Sequence, residues 1–182
     1  MAFWSATQNT EPRRDFKFLL RVIDLPVWVV KTVNLPQISV GESEHKFLNH
    51  TFYFPGTVKY NEISFTVVDA IDEKISQKII RNFVNSGYNT PATENAASES
   101  LITKTNSVRA LGDVTIEHLG SDEDGRDGKI GFKLRNAWIK DLEFPQSLDY
   151  SSENLSSIKV QLRYDFFDFL GTNGQAIQGF GA

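Results

Sequence analysis

Ile158-Lys159-Val160-Gln161-Leu162-Arg163-Tyr164-Asp165-Phe166 alternates apolar and polar side chains without a break. Successive side chains of an extended strand point to opposite faces, so this period of two places Ile158, Val160, Leu162, Tyr164 and Phe166 together, with Lys159, Gln161, Arg163 and Asp165 facing water. The same alternation recurs upstream. Ile130, Phe132, Leu134 and Trp138 alternate against Lys129, Lys133 and Arg135, and Val114 and Ile116 lead into them. Near the start, Phe16, Phe18, Leu20 and Val22 alternate with Lys17, Leu19, Arg21 and Ile23, and Ile63, Phe65 and Val67 alternate with Glu62, Ser64 and Thr66. Residues 27–33 are a β-branched run containing Trp28, and residues 37–54 are rich in Phe, Tyr and Thr. Between these runs lie turn signals: Leu25-Pro26, Asn34-Leu35-Pro36, Pro55-Gly56, Pro145, and a polar turn at Gly41-Glu42-Ser43-Glu44.

One segment follows a helical period instead. Ile75, Ile79, Ile80, Phe83 and Val84 fall on one stripe, Asp72 stands where a cap belongs, and Gly87 stands where a helix stops. Lys74, Gln77, Lys78 and Arg81 form the polar side. About seven strands with one amphipathic helix predict a mainly β fold, a small antiparallel barrel or a sandwich of two sheets, with the helix across an open face or end.

The 182 residues suit one domain with its own core. Its expected outliers are an N-terminal arm (1–15) carrying Phe3 and Trp4, a long polar loop (85–112) and a flexible Gly-rich tail (171–182). The two arm aromatics either fold back or dock on a neighbour. A short helix around residues 96–101 is not assigned.

The chemistry that the chain excludes is informative. It has no cysteine, so disulfides, thiolate metal sites and thiol nucleophiles are absent. A net charge of −4 argues against a nucleic-acid grip, which needs a basic face. No secretory signal and no membrane-spanning apolar run is visible, and a soluble protein made in the cytoplasm is expected. His45 and His50 lie five apart, on opposite faces if they share one strand, and so would not chelate together. Asp122 to Gly128 superficially resembles a calcium loop. A register beginning at Asp122 puts Asp127 and Lys133 where Gly and Glu are required, and one beginning at Glu123 gives Gly128 but Leu134. An acidic hairpin tip explains the segment better. No nucleophile elbow, P-loop or zinc-protease helix occurs, and carboxylates such as Asp165 and Asp168 have nothing to mark them as an acid–base pair. Neither an enzymatic site nor a cofactor is expected.

In their order, these elements resemble the tail tube proteins of contractile-tailed bacteriophages. The likeness rests on Leu35-Pro36, the Phe-rich segment ending at Pro55-Gly56, Ile63-Ser64-Phe65-Thr66-Val67-Val68-Asp69 before a helix, Asn136-Ala137-Trp138-Ile139, Leu148-Asp149-Tyr150-Ser151-Ser152-Glu153-Asn154, and the final alternating strand. It runs from about Phe16 to Phe169, with residues 85–112 poorly matched. The resemblance implies a two-sheet β-barrel shared with secretion-system tubes. Copies of the chain would form hexameric rings, stacked into a hollow tube inside a tail sheath, with a baseplate tube initiator and a tape-measure protein as partners. The genome would pass through the lumen without sequence-specific binding, and the protein would reside in the virion.

Two expectations about contacts follow. Phe47, Phe52, Tyr53 and Phe54 make a strand apolar on both faces, which calls for cover between subunits or for burial beneath the helix. The resemblance implies that residues 39–54 form a hairpin reaching the adjacent ring, with Gly41, Glu42 and Glu44 near its turn. An acidic balance suits a conduit, because negative potential repels phosphates. A baseplate initiator or terminal ring and a secretion-system tube subunit share this fold. A monomeric carbohydrate- or lipid-binding barrel is the alternative of another kind.

Overall fold

The computed structural model describes residues 13–90, 101–120, 129–145, 147–171 and 175–177. Phe3 and Trp4, the Asp122–Gly128 tip and residues 96–100 lie outside the described residues. Ten strands are present among them: β1 Phe18–Arg21, β2 Val30–Val33, β3 Ile38–Phe47, β4 His50–Tyr60, β5 Ile63–Val68, β6 Val114–His118, β7 Ile130–Arg135, β8 Trp138–Glu143, β9 Ser157–Arg163 and β10 Phe166–Leu170. They form three antiparallel groups. The first sheet has the order β1-β6-β7-β10, the second β2-β5-β9-β8, and β3 pairs with β4 alone.

Most of the inward residues are those the alternation marks, although Phe16, expected on the same face as Leu20 and Val22, is exposed. Leu20, Val114, Ile116 and Leu134 face the core from the first sheet, and Ile63, Phe65, Val67, Ile158, Val160 and Leu162 face it from the second. A fully buried aliphatic side chain contributes about 1.5–3 kcal/mol, so this core is what holds the sheets together. Among the described residues no ladder joins the two sheets, so the architecture is a sandwich and not a closed barrel.

Two runs that read as continuous strands change sheets midway. β7 belongs to the first sheet and β8 to the second, with Asn136 at φ 55° making the corner. β9 belongs to the second sheet and β10 to the first. The alternation slips at that second corner: Tyr164 is buried, Phe166 is exposed and Phe167 takes the core position. The two corners are stitched together. Asp165 N–H donates to the Arg135 carbonyl at 3.0 Å, while its carboxylate accepts from Asn136 Nδ2 at 2.8 Å and from Lys104 Nζ at 2.6 and 2.7 Å. The Lys104 hydrogen bond, opposed in part by burial, holds the Asp165 carboxyl below its ordinary range.

The helical segment is corrected in three ways. α1 spans Ile75–Asn85, but Lys74, at φ 50°, occupies the cap position, and Asp69 rather than Asp72 satisfies the first turn by accepting from the Ser76 N–H and hydroxyl. Its apolar stripe divides: Ile75 and Ile79 are buried, whereas Ile80 and Val84 are exposed. A second helix, α2 at Lys104–Leu111, occupies part of the segment expected to be a polar loop, so the described residues hold two α-helices and not one. Thr103 caps it by accepting from Asn106 N–H at 3.2 Å, and Gly112 at φ 68° ends it. Only Ser107 and Leu111 of α2 are buried, too few to produce a readable apolar period. α2 packs against α1 and β8. The described part of the tail also departs from free flexibility. Ala176 bridges to Leu170, and Ile177 N–H donates to the Phe169 carbonyl at 2.9 Å, so residues 175–177 return alongside β10.

Candidate assembly surface

Gly41 to Glu44 are not a turn, and Pro55-Gly56 are not one either. β3 runs straight through the first and β4 through the second, and the chain reverses at Leu48-Asn49, with Leu48 at φ 52°. A two-residue loop of this kind ordinarily carries Asn-Gly or Asp-Gly. The misplaced turn has a physical origin. Val40 pairs with Val58 and Glu42 with Pro55, so β4 holds one extra residue in a bulge opposite Gly41. A Cβ on Gly56 would stand 3.1 Å from the Gly41 carbonyl carbon and oxygen, so glycine allows the strands to approach there. The turn-like residues mark a bulge.

Across this bulge the apolar side of the ribbon changes face. Below it, Ile38, Val40, Val58 and Tyr60 share one face, with Ser39 and Lys59 on the other. Above it, Glu42, Glu44, Lys46, Thr51 and Tyr53 continue the first face, while His45, Phe47, His50, Phe52 and Phe54 occupy the second. His45 and His50 therefore sit on opposite strands but on the same face, unlike the single-strand reading. His50 and Phe52 meet edge to face, with ring centroids 4.7 Å apart. Three of the four aromatics share that face, and Tyr53 alone is on the other.

None of these side chains is in the core. Phe47, Leu48, Phe52, Tyr53 and Phe54 are all exposed, Phe47 by 62% and Leu48 by 89%. Every residue of β3 is exposed, Gly41, Glu42 and Glu44 included. The hairpin is anchored at its root, where Tyr60 packs edge to face on Tyr164 and Phe167 and Asn61 N–H donates to the Gln37 carbonyl at 3.0 Å. Burial pushes the Tyr164 hydroxyl up to about 12. Beyond the root, neither edge of the β3–β4 ribbon is paired among the described residues. Unpaired strand edges and a long apolar face are liabilities in a free monomer and assets in an assembly.

A second exposed apolar group is absent from the sequence expectations. Leu148, Tyr150 and Leu155 project from the β8–β9 loop, whose end is tied to the segment before α1 by Asp69 N–H donating to the Ser156 carbonyl at 3.0 Å. Asp149 organises the loop by accepting from the Ser151 N–H and hydroxyl, each at 2.9 Å, and the backbone bond foremost lowers its carboxyl pKa. The available signal was three large apolar residues within a Ser-rich turn. Among the described residues no three His, Asp or Glu side chains converge as a metal site, and no helix is long and apolar enough to cross a membrane.

No protein-family model matches the chain, and no curated protein matches it. Solved structures do. A chain of the anti-feeding prophage baseplate superposes with a TM-score of 0.62 at 13% identity, over 90% of this chain and 98% of that one. A chain of that prophage's tube terminating cap gives 0.55 at 15% identity, over 94% and 99%. A chain of the sheath–tube complex of an extracellular contractile injection system, PVC, gives 0.52 at 18% identity, over 91% and 93%. Along nearly its whole length the chain thus shares its fold with chains of these contractile injection systems.

Proposed function

We propose that the chain is a non-enzymatic structural subunit of a contractile tail, assembling with its own copies into hexameric rings that stack as the inner tube. The observation that carries this reading is the β3–β4 hairpin, which leaves the sandwich with its aromatic face exposed and, among the described residues, both edges unpaired. Ring closure pairs such edges and stacking covers such faces. Phe47, Phe52, Tyr53 and Phe54 are the contact residues of this reading, with Gly41, Glu42 and Glu44 shaping the ribbon. In a phage virion the tube is a conduit for DNA, which passes ungripped, and its partners are the sheath, the baseplate initiator and the tape-measure protein. The net charge of −4 suits such a passage. A baseplate or terminal ring is the second reading, favoured by the superposition on the prophage baseplate chain.

Negative-stain microscopy of the purified protein tests both. Hollow tubes of indefinite length support the main tube, and isolated rings support the second reading. A persistent monomer at high concentration refutes both.

A further inference from the structure

The side of the sandwich where β1 and β2 stand is open. Each is the last strand of its sheet, β1 beside β6 and β2 beside β5, so among the described residues both outer edges are free. The chain passes from one to the other through residues 22–29, which ties them together at the Arg21 and Val30 ends. Toward the Phe18 and Val33 ends a cleft of about 340 Å³ opens between them. Its apolar walls are Phe18, Val33 and Leu35, and it reaches down to Ile116 of the core. Asp15 and Thr32 line it with oxygen.

The chain enters the fold at the mouth of this cleft. Next to Asp15, the Arg14 carbonyl accepts from Lys17 N–H and from His118 Nε2, each at 3.0 Å. Residues 1–12 lie outside the described residues. At about 3.3 Å per extended residue, the stretch from Trp4 to Arg13 spans up to roughly 30 Å, more than a return to the adjacent cleft requires. None of residues 1–10 has a charged side chain, so entry leaves no side-chain ion to desolvate, while Phe3 and Trp4 gain by leaving water.

We propose that residues 1–10 fold back over this side of their own subunit, with the Trp4 indole seated in the cleft. Adjacent side chains of an extended segment point opposite ways, so one of Phe3 and Trp4 enters and the other does not. Trp4 is the one that enters. A buried indole N–H needs an acceptor, which the Asp15 carboxylate and the Thr32 hydroxyl offer, and Phe3 has no group to use them. The free edges of β1 and β2 present backbone donors and acceptors to the rest of the segment. The arm thereby closes the open side within one copy, whatever larger assembly the copies form.

Trp4 emission tests the contact. It is obtained over a dilution series as the difference between the spectra of the wild-type chain and Trp4→Phe, which removes the signals of Trp28 and Trp138. The difference should be blue-shifted, shielded from iodide and unchanged by dilution, and Trp4→Ser should melt about 3–12 °C lower than wild type. Leu35→Glu places a charge in the cleft wall at an exposed position, and should shift the Trp4 emission to the red and open it to iodide. Circular dichroism verifies that this variant folds, and Thr32→Glu replaces it if it does not. Emission typical of a free indole in the wild-type chain overturns the proposal. So does shielding lost on dilution, which puts Trp4 on another copy, and so does shielding that persists in the folded cleft variant, which puts it elsewhere on the subunit.

Discussion

Arg135→Met tests how the first sheet tolerates a carboxylate in its interior. Asp168 is 1% exposed, and its Oδ2 accepts from Arg135 Nε and Nη2, each at 2.5 Å. Its Oδ1 has no hydrogen-bond partner among the described residues. Lys133, opposite Asp168 in register, is engaged by Asp113 at 2.8 Å. Removing one partner of a buried ion pair typically costs about 3–5 kcal/mol, because the other charge stays behind unpaired. Arg135 itself is 40% exposed on its side chain, so water can replace part of the guanidinium, and the expected loss is about 2–3 kcal/mol. For a chain of this size that corresponds to a melting-temperature drop of roughly 4–12 °C. Urea unfolding of Arg135→Met, Asp168→Leu and the double variant measures the coupling. The double variant should recover to within about 1 kcal/mol of wild type, since matched apolar replacement removes the orphan charge. A loss below about 0.5 kcal/mol in Arg135→Met would refute the reasoning, since surface changes without such a mechanism fall in that range.

Phe52→Glu should abolish tube formation while leaving the melting temperature within a few degrees of wild type, because Phe52 lies outside the core; an unfolded product would contradict the exposed placement. Gly87→Ala should destabilise the fold by about 2 kcal/mol or more, read by thermal melting, since Gly87 has φ 105° and an added Cβ would lie 2.2 Å from the Leu101 carbonyl oxygen. Tyr164 should stay protonated to about pH 12. Its folded-state pKa is raised, so the stabilisation that it adds is complete below about pH 10, its unfolded value, and is lost as pH rises toward 12. Comparing alkaline denaturation of Tyr164→Phe and wild type isolates this loss, and parallel curves across that window would contradict it.

What the sequence determined by itself is the part governed by neighbours along the chain. The period of two at Ile63, Phe65 and Val67, and at Ile158, Val160 and Leu162, identifies core faces because alternation is a property of a single strand. Tertiary structure decided whatever depends on partners far away in sequence. Unbroken alternation through Tyr164 and Phe166 conceals a change of sheet, because only the packing of the Asp165 and Arg135 corners shifts the inward position to Phe167. Pro55-Gly56 reads as a turn because the same two residues serve a turn and a bulge, and only the pairing with Val40 and Glu42 separates them. The four hairpin aromatics fit a core or a contact equally well in composition. Their exposure follows from where the ribbon leaves the sandwich, and the apolar loop at the far end of the second sheet becomes visible only once the strand register sets the two ends apart.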